Sequence, residues 1–442
     1  MKFTKVEEAT NWLLSQVNPI PRPDMTKMYQ ALEYVGNPHR DLPVIHITGT
    51  NGKGSTLAYL RDMLLSQGVK VGTFTSPHIM RFNERIAFNG ENISDRDLIR
   101  LTNQLVELNE YMEAESEYGR LIYFELFTIM MALYFQEKKA EICLIEAGIG
   151  GMQDCTNVLD GEIAVITSIA MDHADMLGDS LEAIALEKAG IIKTRRHVVT
   201  GQIQASPLAV IDKWAQARRA QHDRFNHEFS ISEIQRQGAQ GTCFKFSNQE
   251  GLDLDVTISM IGDHQIRNAS LAIQVFHQWM NMRGQSIDWR LALKAMNETQ
   301  WLGRLEQVHQ APYIYLDGAH NLEGLEALKA VVTEYLQAYH LTVIYGGLKK
   351  KNQAEQVPLL LDFESQKIFL TSFKHFESMQ KEDFEEIRFS LDSEKAKKMT
   401  YVSDWQEWLD TYIHDHQGQE EALLLITGSL YFVSEARNYL LN

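Results

Sequence analysis

A short run rich in β-branched residues, Val44 to Thr48, leads directly into Gly49-Thr50-Asn51-Gly52-Lys53-Gly54-Ser55-Thr56, after which Leu57, Leu60, Leu64 and Leu65 recur at helical spacing as far as Gly68. A buried strand, a glycine-rich turn and a helix in immediate succession constrain the chain path, because the carboxyl end of the strand must open onto the first turn of the helix. Gly68 is well placed to end that helix. The glycines let backbone N–H groups turn inward, the helix N-terminus adds partial positive charge, and Lys53 adds a full one. Together they make a cradle for a polyphosphate. The strict spacing G-x-x-x-x-G-K-[ST] is not met, because Gly54 stands between Lys53 and the hydroxyl of Ser55. A plain connection would gain little from this glycine cluster, since each glycine loses more backbone freedom on folding than other residues do.

The alternation continues beyond the turn. Val69 to Phe74 is the next apolar run, Leu121 to Gln136 has the length and apolar density of a buried helix, and Ile142 to Ile145 and Ile163 to Ile169 are short β-branched runs. Strands alternating with helices predict a parallel sheet covered on both faces. Asp179, followed three residues later by Glu182, reads as the start of a helix that passes Glu187 and Lys188 towards Gly190. Residues 200 to 260 lose this regularity and read as short strands and polar loops that elaborate the first domain. A second series begins near residue 300, with candidate strands Tyr313 to Leu316, Leu341 to Tyr345, Ile368 to Thr371, Met399 to Val402 and Ala422 to Ile426, and a helical segment Leu322 to Tyr339. The expected domains are therefore 1–298 and 299–442, joined near Asn297 to Leu302, and a cleft between two such domains is a common place for a ligand.

Charge and cysteine content narrow the function. Lys and Arg total 42 against 59 Asp and Glu, a formal charge of −17, which opposes a nucleic-acid backbone and requires any anionic ligand to find a local basic or amide-lined site. The three cysteines, Cys143, Cys155 and Cys243, are too scattered for a disulfide framework or a zinc site and fit a reducing cytoplasm. The N-terminus meets charges at once, and the most apolar stretch, Phe124 to Phe135, is interrupted by Glu125, so neither a signal peptide nor a membrane span is expected.

The segment His46 to Ser55 resembles the ATP-binding loop of the folylpolyglutamate synthase and dihydrofolate synthase family, within the wider Mur ligase superfamily. Further matches follow in order over nearly the whole chain: Thr75-Ser76-Pro77-His78, Phe82 to Ile86, Phe124-Glu125, Glu146 to Gly151, Asp154 to Asn157, Asp172-His173, Glu187 to Lys193, Gly262 to Gln265 with Asn268-Ala269, Trp301 to Arg304, Asp317 to Asn321 and Thr427 to Leu430. The resemblance implies an α/β fold with an N-terminal P-loop-type ATPase domain, built on a mostly parallel sheet, and a smaller C-terminal Rossmann-like ligase domain. The activity it implies is ATP-dependent joining of L-glutamate to the carboxylate of a reduced folate through an acyl phosphate.

Some site residues can be weighed without the family. Glu146 ends an apolar strand in the same sheet as the phosphate loop, and a carboxylate at that edge suits Mg²⁺. Taken bare, His173 reads as a loop histidine and Lys188 as a solvated lysine paired with glutamates one turn away. The resemblance implies instead that Ser76, Glu146 and His173 hold two magnesium ions and that Lys188 is carbamoylated beside the second. It assigns the nucleotide to Gly49, Thr50, Asn51, Gly52, Lys53, Gly54, Ser55 and Thr56, with Asn268, Arg304 and Asp317. Lys53, Lys188, Asp317 and His320 then carry the chemistry, although Asp317 to Asn321 reads equally well as a strand-to-helix turn capped by Asn321. Phe82, Arg85, Tyr123, Phe124, Glu125, Gln153, Asp154 and Cys155 would line the pteridine side, or be core residues. No residue reads as the general base for the amine.

Three departures from the family pattern bear on the substrate. Pro23 to Met28 replaces a glycine-containing segment, Met152, Gln153 and Cys155 interrupt a Gly-Gly-Arg-x-Asp-Ala-Thr-Asn pattern, and Lys349-Lys350-Lys351-Asn352 replaces Asp-Lys-Asp. They leave dihydropteroate open as a second substrate. The lysine run reads as a solvated loop, with a dock for an acidic polyglutamate tail as the alternative. A monomer with only small-molecule partners is expected. The rival readings are a Mur-type peptide ligase of cell-wall synthesis, a non-catalytic nucleotide-binding protein and a phosphotransferase.

Overall fold

The computed structural model describes residues 2–17, 25–349, 353–363, 365 and 367–441. Two compact units are present: one of Met1–Ile231, Phe246–Leu254 and Arg267–Met296, the other of Ser232–Lys245, Asp255–Ile266 and Asn297–Asn442.

The first unit is built on strands β1 (Val44–Thr48), β2 (Val71–Phe74), β3 (Ile86–Phe88), β4 (Glu91–Asn92), β5 (Ile142–Glu146), β6 (Ile163–Ile166), β7 (His197–Thr200) and β8 (Gln221–Arg224), in the order β4-β3-β2-β5-β1-β6-β7-β8. Only β3 runs against the other strands, pairing antiparallel with both β2 and the edge strand β4. β1, β5 and β6 are buried throughout, as expected for a sheet covered on both faces. Their register is level: Ile47 lies opposite both Glu146 of β5 and Val165 of β6. The carboxyl ends of three strands therefore open side by side. The helix Tyr123–Lys138 is buried continuously from Glu125 to Phe135 and joins the core with Phe74, Ile145 and Leu159.

The second unit contains β12 (Glu306–His309), β13 (Tyr313–Asp317), β14 (His340–Gly346), β15 (Lys367–Thr371), β16 (Met399–Val402) and β17 (Ala422–Gly428), preceded in the chain by a three-stranded sheet of β9 (Phe229–Arg236), β10 (Thr242–Asn248) and β11 (Asp253–Ile258) whose strands supply residues to both units. The six strands follow the order β12-β13-β17-β14-β15-β16, parallel except for β12. Successive residues go to opposite faces. Tyr315, Val343, Leu423 and Leu425 pack with Leu325 and Leu328, whereas Ile314, Leu316, Ile344, Leu424 and Ile426 pack with Phe432 and Trp405.

Several expectations need correction. The helix predicted from Asp179 is capped instead by Ser180, whose hydroxyl accepts the Ala183 N–H at 3.2 Å, and runs Leu181–Ala189. Residues 200 to 260 contain a full helix, Ala205–Arg218, hidden from sequence reading by Ser206-Pro207, a pair that suggests a loop. Proline is tolerated there because the first-turn N–H groups have no intrahelical acceptor. That stretch also supplies residues to the second unit and is not an elaboration of the first alone. The helix expected to reach Tyr339 ends at Tyr335. Pro23, Asp24 and Lys350 to Asn352 lie outside the described residues, while Lys349 is ion-paired with Asp383 at 3.0 Å. Among the described residues no helix is long and apolar enough to cross a membrane.

Candidate functional site

The phosphate loop joins β1 to the helix Lys53–Ser66, which is entered from Gly52 at φ +86°. A side chain at Gly52 would be strained by that backbone, and its Cβ would come 2.4 Å from Asn268 Oδ1. The structure thus brings Asn268 against the loop. Segment 167–170, just beyond β6, straps the loop in place. Thr50 N donates to Ser168 O at 3.0 Å, Asn51 N to Ser168 Oγ at 3.0 Å, and Thr167 Oγ1 to Asn51 O at 2.5 Å. Thr50 Oγ1 both donates to Ala170 O (3.1 Å) and accepts from Ala170 N (3.0 Å). Lys53 Nζ is folded onto the loop, donating to Gly49 O at 3.0 Å and Thr50 O at 3.2 Å. Ser55 and Thr56 are buried in the first helical turn. The strap residues escaped the sequence reading, since their proximity depends on β6 pairing with β1; the polar pair Thr167-Ser168 ending a β-branched run was the available signal.

Beside the loop, Glu146 is buried at the end of β5, and its Oε2 accepts the Ser76 N–H at 3.2 Å, so these two expected metal ligands are adjacent. His173 has a left-handed backbone, φ +51°, before the short helix Ala174–Leu177; its ring lies 4.0 Å from the Asp172 carboxylate. Among the described residues no three His, Cys, Asp or Glu side chains gather to hold a metal. The hydroxyl of Ser76 and the carboxylate of Glu146 are nevertheless the hard oxygen donors that Mg²⁺ takes, with water and phosphate completing its shell.

Lys188 departs most from the bare reading, being buried at 4% exposure rather than solvated. Burial, reinforced by the positive charge of Lys53, pushes its pKa down to about 7, against the opposing pull of Asp172, Asp154 and Glu187. A lysine with a sizeable neutral fraction near neutral pH is the nucleophile that carbamoylation requires.

On the expected pteridine side, Phe82 and Arg85 belong to a 3-10 turn, Phe82–Arg85, and both are buried. The Arg85 guanidinium lies 5.8 Å from the Phe82 ring centre, 5.5 Å from Tyr123 and 5.8 Å from Phe127, while its Nε donates to His78 Nδ1 at 2.8 Å. Burial, with Arg85 beside it, holds the His78 ring down to about 4. Phe124 packs on Phe74 with ring centres 5.9 Å apart. The buried Glu125 accepts the Ile122 N–H at 2.7 Å and pairs with Lys27 at 3.2 Å. Gln153 is exposed, and its N–H donates to Glu187 Oε1 at 2.9 Å. Cys155 is fully buried in the core and Asp154 spends its carboxylate on neighbouring backbone, so these two hold the turn rather than present an open face.

In the second unit, Asp317 ends β13 and is buried. Its oxygens accept the N–H of Leu305 at 3.0 Å and of Ala319 at 2.9 Å, stitching the turn after Arg304 to the turn after β13. Burial raises its pKa, opposed by Arg304. His320 Nδ1 donates to Gly318 O at 2.8 Å, and Asn321 caps the next helix through the Gly324 N–H at 2.8 Å, as the turn-and-cap reading anticipates.

Residues 47–276 match the Mur ligase middle domain and residues 303–430 the Mur ligase glutamate ligase domain. The chain is 36% identical to the dihydrofolate synthase/folylpolyglutamate synthase of Bacillus subtilis over 99% of its length and 100% of the relative's. It is 32% identical to the folylpolyglutamate synthase of Lacticaseibacillus casei, covering 95% and 94% of the two chains. A solved folylpolyglutamate synthase complex with AMPPCP and folate superposes with a TM-score of 0.85 at 30% identity, over 99% of this chain and 100% of the other. The strapped phosphate loop, the carboxylate beside it and these full-length matches agree, and the chain belongs to the folylpolyglutamate synthase and dihydrofolate synthase branch of the Mur ligase family.

Proposed function

We propose that this chain joins L-glutamate to the carboxylate of a reduced folate at the expense of ATP, and that dihydropteroate is a second acid it accepts. The observation that carries this reading is the meeting of the Lys53 loop and the Glu146 carboxylate at the level ends of β1 and β5, with the buried Lys188 close enough to feel the charge of Lys53. The complex of a relative with AMPPCP and folate supports it. Amide formation from a carboxylate and an amine is uphill in water. The carboxylate therefore takes the γ-phosphoryl group to give an acyl phosphate and ADP; the glutamate amine then adds to the acyl carbon, expels phosphate and releases a proton.

Lys53 and the loop amides would stabilise charge on the phosphoryl group as it transfers. Magnesium, when bound, would offset phosphate charge; Ser76, Glu146, His173 and carbamoylated Lys188 are the residues proposed to hold two ions. Asn268, Arg304 and Asp317 are assigned to nucleotide binding, and His320 to orienting glutamate or nucleotide. The Phe82, Arg85 and Tyr123 cluster is assigned to the pterin. A cytoplasmic setting suits these substrates and the sparse cysteines.

The test is phosphate release from MgATP and glutamate with tetrahydrofolate or dihydropteroate, with products identified by mass. Turnover of both acids is expected. Turnover of neither would overturn the reading, and phosphorylated acid formed equally well without glutamate would make the chain a phosphotransferase.

A further inference from the structure

Residues 193–224 carry seven Lys and Arg against two Asp, in a chain whose formal charge is −17. The backbone gathers four of them at one place. Arg195 N donates to Arg218 O at 2.9 Å and Gln221 N to Arg196 O at 3.0 Å, so the turn before β7 lies against the turn before the edge strand β8. Arg195, Arg196, Arg218 and Arg219 therefore emerge side by side. Arg196 pairs with Asp160, and the Arg218 guanidinium lies 5.0 Å from the ring centre of Trp214. Arg195 and Arg219 are exposed and make no ion pair among the described residues. Both also have left-handed backbones, at φ +60° and +53°. Glycine would be the more stable residue at either position, because a Cβ crowds the following carbonyl there. Two unpaired arginines standing where glycine would suit the fold better point to a surface that meets something else.

The complementary surface is carried by the same unit. The end of the helix Asp95–Glu115 and the residues just beyond it hold five glutamates between 107 and 117, with no Lys or Arg among them. Glu113 and Glu115 stand in the last turn of that helix, where the negative end of its dipole opposes them. Glu115 and Glu117, with Tyr29, Glu33, Arg40 and Tyr118, line an open cavity of about 620 Å³. Even with Arg40 in its wall the cavity is net negative, and Glu33, Glu115 and Glu117 make no ion pair among the described residues. Carboxylates beside exposed tyrosine rings are surroundings that receive a guanidinium, through paired N–H···O bonds and through the face of the ring.

We propose that the arginine edge of one copy docks on the glutamate and tyrosine cavity of a second copy, a head-to-tail contact between two different faces in place of the expected monomer. Charge complementarity within one sequence decides the partner, since every molecule that presents the arginines also presents the face that fits them. Repulsion between two chains of −17 is screened beyond about 8 Å at physiological salt, whereas guanidinium and carboxylate groups in contact are screened much less. Arginine and tyrosine are also the residues that such contacts favour. The arginines precede β7 and β8 and so lie at the opposite end of the parallel strands from the phosphate loop. The contact is thus independent of the ligase reading, and turnover of dilute protein does not require it.

The test is sedimentation velocity of the full chain from micromolar to sub-millimolar concentration, at about 0.15 M and at about 1 M salt. The sedimentation coefficient is expected to rise with concentration at the lower salt and to stay at the single-chain value at the higher. Arg195→Gly combined with Arg219→Gly suits both left-handed turns, so its thermal midpoint should not fall, while its dissociation constant should rise about ten-fold or more. Glu115→Lys combined with Glu117→Lys should weaken self-association as much. Mixed together, the two variants should associate with wild-type strength, because one keeps the cavity and the other keeps the arginines. A wild-type chain that stays single throughout, variants that associate as the wild type does, or a mixture that fails to recover would each overturn the proposal. So would a single chain that binds inorganic polyphosphate through the same arginines, which would give the surface to a foreign polyanion.

Discussion

Replacing Lys188 by methionine tests whether burial alone controls this residue. A fall from the ordinary lysine value of 10.5 to about 7 corresponds to roughly 5 kcal/mol of penalty on the charged folded form, at 1.36 kcal/mol per decade. Below pH 7 the lysine is protonated in both the folded and the unfolded chain, and the folded state bears the whole penalty. Between pH 7 and 10.5 the folded chain has released the proton while the unfolded chain keeps it, so the penalty falls as pH rises and vanishes above 10.5. Methionine never titrates, and its packing offset does not change with pH. The stability advantage of Lys188→Met should therefore be largest below pH 7 and shrink by roughly 3 kcal/mol between pH 6 and pH 9. Urea midpoints of the two proteins in CO₂-free buffer, converted with a common slope, read this difference. An advantage that is flat over that range would refute the reasoning, because it would mean that the buried ammonium keeps its proton. Added bicarbonate should raise the stability of the wild type at a given pH, because carbamate formation draws off the neutral amine of the folded chain, and ligase turnover should be lost in the variant at every pH.

Lys53→Met should reduce ATP-dependent turnover by on the order of 10²–10³-fold while the loss of the ammonium's bonds to Gly49 O and Thr50 O costs about 1 kcal/mol of stability; phosphate release and a thermal melt check this, and near-normal turnover would remove the phosphate assignment. Asp317→Asn leaves one acceptor oxygen where the carboxylate serves two backbone N–H groups, so the urea midpoint should fall by the equivalent of about 1–3 kcal/mol. An unchanged midpoint would show that those two bonds contribute nothing.

What the sequence made legible follows from the range of the forces involved. Met399–Val402 appears in the structure with the bounds read from its composition, and Asn321 caps the helix that it was expected to cap. Both depend on neighbouring residues. The phosphate loop was legible for the same reason. The strap at 167–170, the burial of Lys188 and the inward turn of Cys155 were not, because each depends on which strands pair. Nothing local distinguishes β6 as the neighbour of β1 from β2, which follows β1 sooner in the chain. The helix Ala205–Arg218 shows the opposite failure, a local signal from Ser206-Pro207 that pointed to a loop and was outweighed by burial of Ile211 and Ala215 against Ile184 and Val198. For Lys188 physical reading missed the burial, and the roles proposed for it and for His173 rest on the family resemblance.

The strap has a consequence for biosynthesis. The bonds that shape the phosphate loop join residues 116 to 120 positions apart. A ribosome releases Gly49 to Thr56 long before Thr167 to Ala170 exist to receive them, and β6 must dock beside β1 before those bonds form. A nascent chain halted just after β5 would carry Lys53 and Glu146 but only the local bonds of Lys53 to Gly49 O and Thr50 O to order the turn between strand and helix. The fully strapped phosphate loop therefore forms late in synthesis, only once β6 and the residues beyond it have left the ribosome and the central strands of the first unit are in place.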